Sequence, residues 1–312
     1  MPWIVIALAT PAAAQTGPAL LSRTWSENEN AQLHRDGMFL NESSTNNASA
    51  DIDLNRYDAM GRSRLNTDDD CGFTVEFDLT YLNLVTSDPS LPPRLVDQSI
   101  TAGFGIGHDN EWAIPAIVGT GYAGNNAFGD GDALYTLADL IATRRIDDRI
   151  SLRLILDWNG NRSIFPDLPL PAISYQKLTT DKLSYTVGLP ISAIAWEPTD
   201  RASVNLTYSA PLSLNATASY KLSCSLDLFG RFASGVDAFK LDGSSDHRRL
   251  FFQQRRIEDG FRFRVHEVVD LALAGGYAFD QEFNRDFDVC DVDSAAKVSD
   301  EPYVRTALSV RV

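Results

Sequence analysis

A strict alternation of apolar and polar side chains recurs along this chain and continues to its last residues. Near the carboxyl terminus, Val304, Leu308 and Val310 alternate with Arg305 and Ser309. The same pattern covers residues 73–81 and 203–208. Successive side chains of a β-strand point to opposite faces, so each segment has one apolar face and one polar face. The alternation therefore predicts a protein built of β-strands that contact water on one side only.

The first fourteen residues are typical of a secretory signal peptide. An apolar run over residues 3–8 is followed by Pro11 and by three alanines ending at Ala14, a pattern that signal peptidase cleaves. No lysine or arginine precedes the run, so we expect the true start codon to lie upstream of Met1. An ordinary apolar tail is the alternative. No later stretch approaches the roughly 18 to 20 apolar residues of a membrane-spanning helix. Behind a signal peptide, the alternating strands predict a transmembrane β-barrel in the bacterial outer membrane.

The net charge and the choice of basic residues limit the kinds of partner that the protein can bind. The formal net charge is −15, and only five of the 27 basic residues are lysine. Such an acidic chain argues against nucleic acid as a partner. The polar positions of the alternating segments are mostly Ser, Thr, Asn, Gly and Arg, which suits the wall of a wet lumen better than the Lys- and Glu-rich surface of a soluble sandwich.

Sequence character changes near residue 71. Residues 15–70 hold few apolar residues and several polar runs, such as 41–47 and 68–70. Because such a segment buries too little to offset its chain entropy, we expect a flexible periplasmic segment at 15–70 and a barrel at 71–312. The three cysteines lie far apart without a Cys-x-x-Cys pair, and we expect unpaired or sporadically paired thiols at Cys71, Cys224 and Cys290.

Short polar turns and long acidic loops alternate along the barrel region. Turns such as 146–150 and 196–201 contain Asp, whose side chain bonds the nearby backbone. Loops such as 280–301 carry much of the acidic charge. Short turns at one rim and long loops at the other are typical of outer-membrane barrels, whose short turns face the periplasm. The pattern predicts fourteen strands, or twelve because the pairs 183–196 and 250–265 are doubtful, near 73–84, 97–107, 112–118, 133–145, 150–158, 170–178, 183–189, 191–196, 202–209, 213–221, 225–233, 250–265, 270–279 and 303–312.

Three segments carry a resemblance to a known class of proteins. They are the hairpin Asp181–Pro190, the turn Trp196-Glu197-Pro198 and the strand Gly275-Gly276-Tyr277-Ala278-Phe279. With them, the region from about Cys71 to Val312 resembles uncharacterised bacterial outer-membrane β-barrel families of the porin and transporter kind. The resemblance implies an antiparallel barrel and assembly by the barrel-assembly machinery, and it brings no known substrate. Many such families end in an aromatic residue, whereas this chain ends in Val312.

Residues with catalytic or metal-binding chemistry are few. No Gly-x-Ser-x-Gly elbow or His-Glu-x-x-His pair is present, so the sequence does not predict an enzyme. The acidic runs 286–293 and 129–132 offer oxygen ligands that calcium takes, but neither has the twelve-residue loop with its glycine and terminal glutamate. We therefore interpret them as solvated loops and expect no cofactor and no metal. The four histidines are isolated from any predicted nucleophile; they are His34, His108, His247 and His266.

Charged residues at inward positions are the candidate functional residues. If Leu154 and Leu156 face lipid, then Arg153 and Asp157 face the lumen, because a charge on the lipid face costs roughly 2 to 4 kcal/mol at the membrane midplane. These groups either pair into a ladder that fills the barrel, or leave unpaired arginine along a wet pore that favours anions. The same parity places nine charged residues on the inner wall: Glu76, Asp78, Arg153, Asp157, Asp227, Arg231, Arg262, Arg264 and Arg305.

Together these patterns predict an outer-membrane barrel that is a passive channel for small solutes, with an arginine-containing lumen. The expected partners are outer-membrane lipid, the barrel-assembly machinery and small solutes. Two alternatives remain at this point. One is a non-conducting structural or adhesive barrel that acts through its acidic loops, and the other is a secreted soluble β-sandwich that binds glycans.

Overall fold

The computed structural model describes residues 29–40, 43–45, 50–65, 72–108, 111–126, 128–129, 131–242, 248–290 and 293–312. The signal peptide expected at 1–14, Cys71 and His247 lie outside the described residues. Among the described residues, no helix is both long and apolar enough to cross a bilayer. A short 3₁₀ helix, Gly131–Ala133, precedes β7. The strands are β1 (Ala31–Leu40), β2 (Ser43–Ser44), β3 (Asp51–Arg64), β4 (Thr74–Thr86), β5 (Arg94–His108), β6 (Trp112–Gly124), β7 (Leu134–Arg145), β8 (Ile150–Asn159), β9 (Leu170–Thr180), β10 (Leu183–Leu189), β11 (Ile191–Trp196), β12 (Ala202–Ser209), β13 (Ser213–Lys221), β14 (Leu226–Lys240), β15 (Arg249–His266), β16 (Val269–Asp286), β17 (Asp293–Val298) and β18 (Glu301–Arg311).

In the described part of the chain, sixteen of these strands close into one antiparallel barrel. Each pairs with the next along the chain, and the ladder closes where Leu33 of β1 lies opposite Val310 of β18. The short strands β2 and β17 are additions at one end, paired with β3 and β16. Closure leaves these sixteen strands without an open edge. The predicted all-β, up-and-down barrel is confirmed, and the β-sandwich architecture is excluded.

The sequence-based predictions of the number of strands and of the residue at which the barrel wall begins are wrong. All fourteen predicted strands are present, including both doubtful pairs. The two further strands, β1 and β3, come from the segment 15–70 that we expected to be flexible. Gln32 of β1 lies opposite Arg62 of β3, and Arg62 lies opposite Glu76 of β4. The wall therefore begins at Ala31 and not at residue 71, because these strands complete the hydrogen bonding between β18 and β4.

The outward face of the wall is apolar and exposed. Leu154 and Leu156 on β8 are 42% and 47% exposed, whereas Asp157 beside them is buried. Phe261 and Phe263 on β15 are likewise exposed, at 44% and 43%. This arrangement is the reverse of a water-soluble protein and suits a lipid surrounding.

The height of the wall varies around the barrel. β15 and β16 each contain 18 residues, whereas β10 contains 7 and β11 contains 6. The start of β1 and the end of β18 lie at the rim with the short turns, where Ala31 N–H donates to the Val312 carbonyl at 2.8 Å. We call this rim the inner rim and the opposite one the outer rim. The sector β10–β13 thus ends well below the outer rim formed by β14–β16.

Candidate functional site: the interior of the barrel

The nine predicted inner-wall residues all lie on strands, at the parity opposite to the outward apolar side chains. Glu76, Asp157 and Arg305 are buried, with 3%, 8% and 6% exposure. Arg264 is exposed near the inner rim. The remaining five are half-buried: Asp78, Arg153, Asp227, Arg231 and Arg262.

A packed lobe fills the outer half of the interior along one sector of the barrel. The sector runs from β14 through β18, across the β18–β1 closure, and on to β5. Its core is apolar and comes from inward positions of β1, β3, β4, β5, β14, β15 and β16, with Leu91 from the β4–β5 loop. Leu54, Leu82 and Phe252 are completely buried, at 0% exposure. Side chains at this density leave no room for a solute. The lobe is therefore a solid part of the interior.

The outer parts of β14 and β15 separate this lobe from the rest of the interior. We call residues 235–240 and 249–254 the divider. Its inward residues Phe239 and Phe252 belong to the packed lobe. Its outward residues Ala238 and Phe251 are equally buried, in a second apolar cluster with Val289. A strand pair that is buried on both faces lies inside the molecule and not at its lipid surface.

Contacts across the interior hold the divider in place. At its end, Lys240 of β14 bridges in parallel to Gly124 of β6, although seven strands in chain order separate the two. Asn161 of the β8–β9 loop donates from Nδ2 to the Ala238 carbonyl and to Asp97, at 3.0 Å each. Arg56 of β3 forms an ion pair with Asp237 of the divider.

Buried ion pairs account for most of the charge inside the lobe. Arg305 of β18 bonds both Glu258 oxygens, at 2.8 and 2.9 Å, and also pairs with Asp36 of β1. Tyr303 donates its hydroxyl proton to Glu258 at 2.8 Å. Because both partners of each pair are present and hydrogen-bonded, these charges are compensated within the wall. In this region the charges of β1, β15 and β18 form pairs between strands.

A second buried cluster joins β7, β8 and their neighbouring outer loop. Asp139 and Asp157 lie opposite each other in register. Arg162 of the β8–β9 loop, 2% exposed, places Nη2 2.6 Å from Asp157 Oδ2. One guanidinium thus faces two carboxylates, and the loop is held against the wall.

The inner face of β9–β13 has a different character, and we call it the polar wall. None of its described inward positions from residue 174 to residue 219 is charged. Most of these side chains are half-buried, so they retain solvent contact inside a closed barrel. The hydroxyl and amide members are Ser174, Gln176, Ser184, Thr186, Ser203, Asn205, Thr207, Ser209, Ser213, Asn215, Thr217 and Ser219.

Two arginines differ from the paired ones. Arg153 lies on β8 at the edge of the polar wall, opposite Ser174 of β9, and within the described chain no carboxylate approaches it within 4 Å. Arg262 of β15 likewise has no ion pair at that distance among the described residues. It stands in register with Asp227, and its guanidinium lies 5.6 Å from the centre of the Phe229 ring. The other arginines predicted on the inner wall have carboxylate neighbours: Glu258 lies 3.7 Å from Arg231, and Asp270 lies 3.7 Å from Arg264.

Sequence reasoning missed the acidic and basic partners that complete these clusters. Asp36, Arg56 and Asp58 lie in the segment expected to be flexible. Asp237 lies in the part of β14 that extends beyond the predicted strand. Glu258 lies in β15 and shares the parity of Arg262. Strict continuation of the alternation past residue 233 would have found Asp237.

The described histidine, cysteine and acidic side chains outside these clusters lie apart from one another and do not form a second site. His34, placed by our sequence interpretation in a flexible tail, lies on β1 with Nδ1 2.8 Å from Ser309 Oγ. Cys224 and Cys290 are free and exposed. In the acidic β4–β5 loop, hydrogen bonds from the Ser90 hydroxyl and amide lower the pKa of Asp88. Among the described residues, no group of three or more His, Cys, Asp or Glu side chains is placed to hold a metal ion.

Comparison with known proteins gives structural likenesses only. No protein-family model and no curated protein sequence matches the chain. A Pseudomonas aeruginosa FadL homologue has a TM-score of 0.44 and 11% identity, over 99% of this chain and 96% of that chain. A bacterial polysaccharide outer membrane secretin has a TM-score of 0.42 and 10% identity, over 91% and 99%. The Pseudomonas putida toluene transporter TodX has a TM-score of 0.41 and 11% identity, over 98% of this chain and 94% of that chain. At these values the likenesses do not bear on the substrate of this chain.

Proposed function

We propose that this protein is an outer-membrane β-barrel that acts as a passive channel for small polar solutes and prefers anions. The observation that carries the proposal is the polar wall. It is uncharged, hydrophilic and partly accessible, inside a closed barrel whose outer surface is apolar. Small hydroxyl and amide side chains leave space for water and offer hydrogen bonds that a passing solute exchanges one after another.

The anion preference follows from which arginines lack partners. Arg305 is compensated by Asp36 and Glu258, so it adds little field to the pathway. Arg153 at the edge of the polar wall and Arg262 near the inner rim have no ion pair among the described residues, and arginine stays charged at any physiological pH. Their field raises the local concentration of anions and weakens when salt shortens its range.

Location and assembly complete the proposal. An exposed apolar surface of this kind is stable in lipid, which we propose as the partner of the outward face. A signal peptide ahead of the barrel would direct the chain to the envelope. β18, which carries outward Val304, Leu308 and Val310, would be the last strand presented to the barrel-assembly machinery.

Planar-bilayer recording of the refolded full chain tests the channel. We expect ohmic currents and a reversal potential in a KCl gradient that indicates modest anion selectivity, smaller at higher salt. Arg262→Ala with Arg264→Ala, and separately Arg153→Gln, should shift the selectivity toward cations. Arg255→Gln is the matched control, because Arg255 is exposed at the outer end of β15 and pairs with Asp280 at 2.7 Å. Cation selectivity that none of these substitutions changes would refute the arginine-lined pathway.

A second candidate function is a non-conducting barrel that acts through its outer loops. The packed lobe favours it, because the lobe seals about half of the interior with completely buried side chains. Absence of any current from folded, bilayer-inserted protein would favour this candidate over the channel.

A further inference from the structure

The outer ends of β10–β13 form two hairpin tips that differ from the other outer connections. Pro190 alone joins β10 to β11, and residues 210–212 join β12 to β13. Every other outer connection between barrel strands comprises at least seven residues. We call residues 187–192 and 208–213 the two tips. They form the lowest part of the outer rim.

Apolar side chains cover the first tip. Val187 and Leu189, at the outward parity of β10, are 61% and 66% exposed, whereas Ile191 stands opposite Ser209 at the inward parity. No charged residue occurs from residue 183 to 195 or from 202 to 220, whereas the loop 280–301 is rich in Asp and Glu. A loop that ends in water is normally polar. These tips instead present to their surroundings the same apolar character as the outer face of the barrel.

Several backbone groups of both tips find their partners within the protein. Pro190 and Pro211 lack an N–H group. The Ser192 hydroxyl accepts from Gly188 N–H at 3.2 Å and donates to the Gly188 carbonyl at 3.0 Å. The Pro190 carbonyl accepts from Ala210 N–H at 2.9 Å.

Side-chain hydroxyls from neighbouring strands complete the second tip. Tyr208 donates to the Pro211 carbonyl at 3.1 Å, and Ser234 of β14 donates to the Leu212 carbonyl at 2.9 Å. Turns in water leave such carbonyls to the solvent. Backbone groups inside the hydrocarbon layer must find a partner within the protein.

The height of this sector agrees with the chemistry of its tips. A strand of 7 residues, as in β10, extends roughly 23 Å at about 3.3 Å per residue. Tilted by about 40°, it rises only about 18 Å, against an apolar band of about 25 Å in outer-membrane barrels. At the inner rim below it, Lys182 and Asp200 pair at the exposed turns, which places that end in water. The tips therefore stop short of the opposite membrane surface.

From these observations we propose that the two tips lie within the acyl-chain layer of the outer leaflet, with lipid acyl chains as their partner, and that the membrane is thinned beside β10–β13. The inference rests on the proposed function in one respect, since it requires the barrel to be inserted in a membrane. The inference states that the outer ends of β10–β13, whose inner face belongs to the polar wall, are embedded in lipid. Lipids beside the tips bend to meet the short wall, as mismatch requires.

Spin-label accessibility in bilayers tests the proposal. Single cysteines replace Val187 or Leu189 in the full chain after Cys71, Cys224 and Cys290 are changed to serine. Leu154→Cys reports the middle of the apolar belt, and Leu168→Cys, 54% exposed in the long β8–β9 loop, reports the water above it. We expect the labels at 187 and 189 to be relaxed strongly by oxygen and weakly by a water-soluble nickel complex, as at 154, and the label at 168 to show the reverse.

The controls separate failure of this inference from failure of the proposed function. Nickel access at 187 and 189 together with lipid exposure at 154 would overturn the embedded tips and leave the membrane barrel intact. Nickel access at all four positions would overturn both. Exclusion of both reagents from the tips alone would indicate contact with protein, such as a second copy of this chain, and would likewise overturn lipid as the occupant.

Discussion

At the scale of single residues, parity determines which face a side chain occupies, and partners determine what it does there. Arg153 and Arg305 have the same parity relation to their apolar neighbours, and the sequence places both on the inner wall. Only the fold brings Asp36 and Glu258 to Arg305, from strands far away in the chain. The division between paired and unpaired arginines is therefore invisible in a one-dimensional pattern.

This division predicts opposite effects of one substitution on stability. Arg305→Met removes the cation of half-buried Asp36 and the nearer cation of Glu258, which keeps Arg231 at 3.7 Å, and breaking a buried pair costs about 3 to 5 kcal/mol. Arg153→Met removes a charge that has no ion pair among the described residues, so we expect at most about 1 kcal/mol. Urea unfolding of the two variants in lipid vesicles measures the difference. Equal midpoints would show that Arg305 is not held as its contacts indicate.

The tip serine permits a second residue-level prediction. Ser192→Ala removes the partner of both backbone groups of Gly188, and an unsatisfied buried polar group costs about 1 to 3 kcal/mol. Ser223→Ala is the matched control, because its hydroxyl accepts from Ser225 N–H at 3.2 Å in an exposed inner-rim turn where water can substitute. We expect the unfolding midpoint to fall for the first variant and to stay within error for the second. Equal losses would contradict a water-free tip.

At the scale of strands, the pattern succeeded wherever apolar residues face outward. It failed at β3, whose apolar residues Ile52 and Leu54 face inward into the packed lobe and are completely buried. On β1 the outward positions include Arg35 and Gly37, which interrupt the apolar run. A rule that assigns every apolar residue to the outward face cannot recognise a strand whose apolar residues at one end face an internal core. The extra length of β14 and β16 escaped prediction for the same reason.

A paired comparison on β12 tests the orientation of a strand directly. Leu206 points outward and Asn205 inward on the polar wall. Leu206→Arg should impair membrane assembly, since it places a charge in lipid at a cost of about 2 to 4 kcal/mol, while Asn205→Arg should be tolerated beside water. Folded barrels migrate differently before and after boiling in detergent gels, so the heat-modifiable fraction in outer membranes is the readout. Equal tolerance of both would mean that β12 does not face a bilayer.

At the scale of the whole molecule, one barrel wall encloses two different regions, the packed lobe and the space beside the polar wall. The divider joins β14 to β6 across the lumen, closing a packed lobe on one side and leaving the polar wall on the other. Its ion pair joins Arg56 to Asp237, residues 181 positions apart. Local periodicity contains no information about such a contact, which explains why closure and strand direction were predictable and the partition of the interior was not.

The ion pair of the divider provides the last prediction. Arg56 also pairs with Asp58 at 2.7 Å, so changing Arg56→Gln, Asp58→Asn and Asp237→Asn together removes the pair without leaving one charge of the cluster alone, which would be the costlier change. The divider then depends on Asn161 and on apolar packing, and we expect more frequent transitions to a larger single-channel conductance. The double variant Arg255→Gln with Asp280→Asn, which removes an exposed pair outside the interior, should leave conductance unchanged. Native conductance in a correctly folded divider variant would mean that apolar packing alone fixes the partition, and that the charges inside the lobe are not part of its closure.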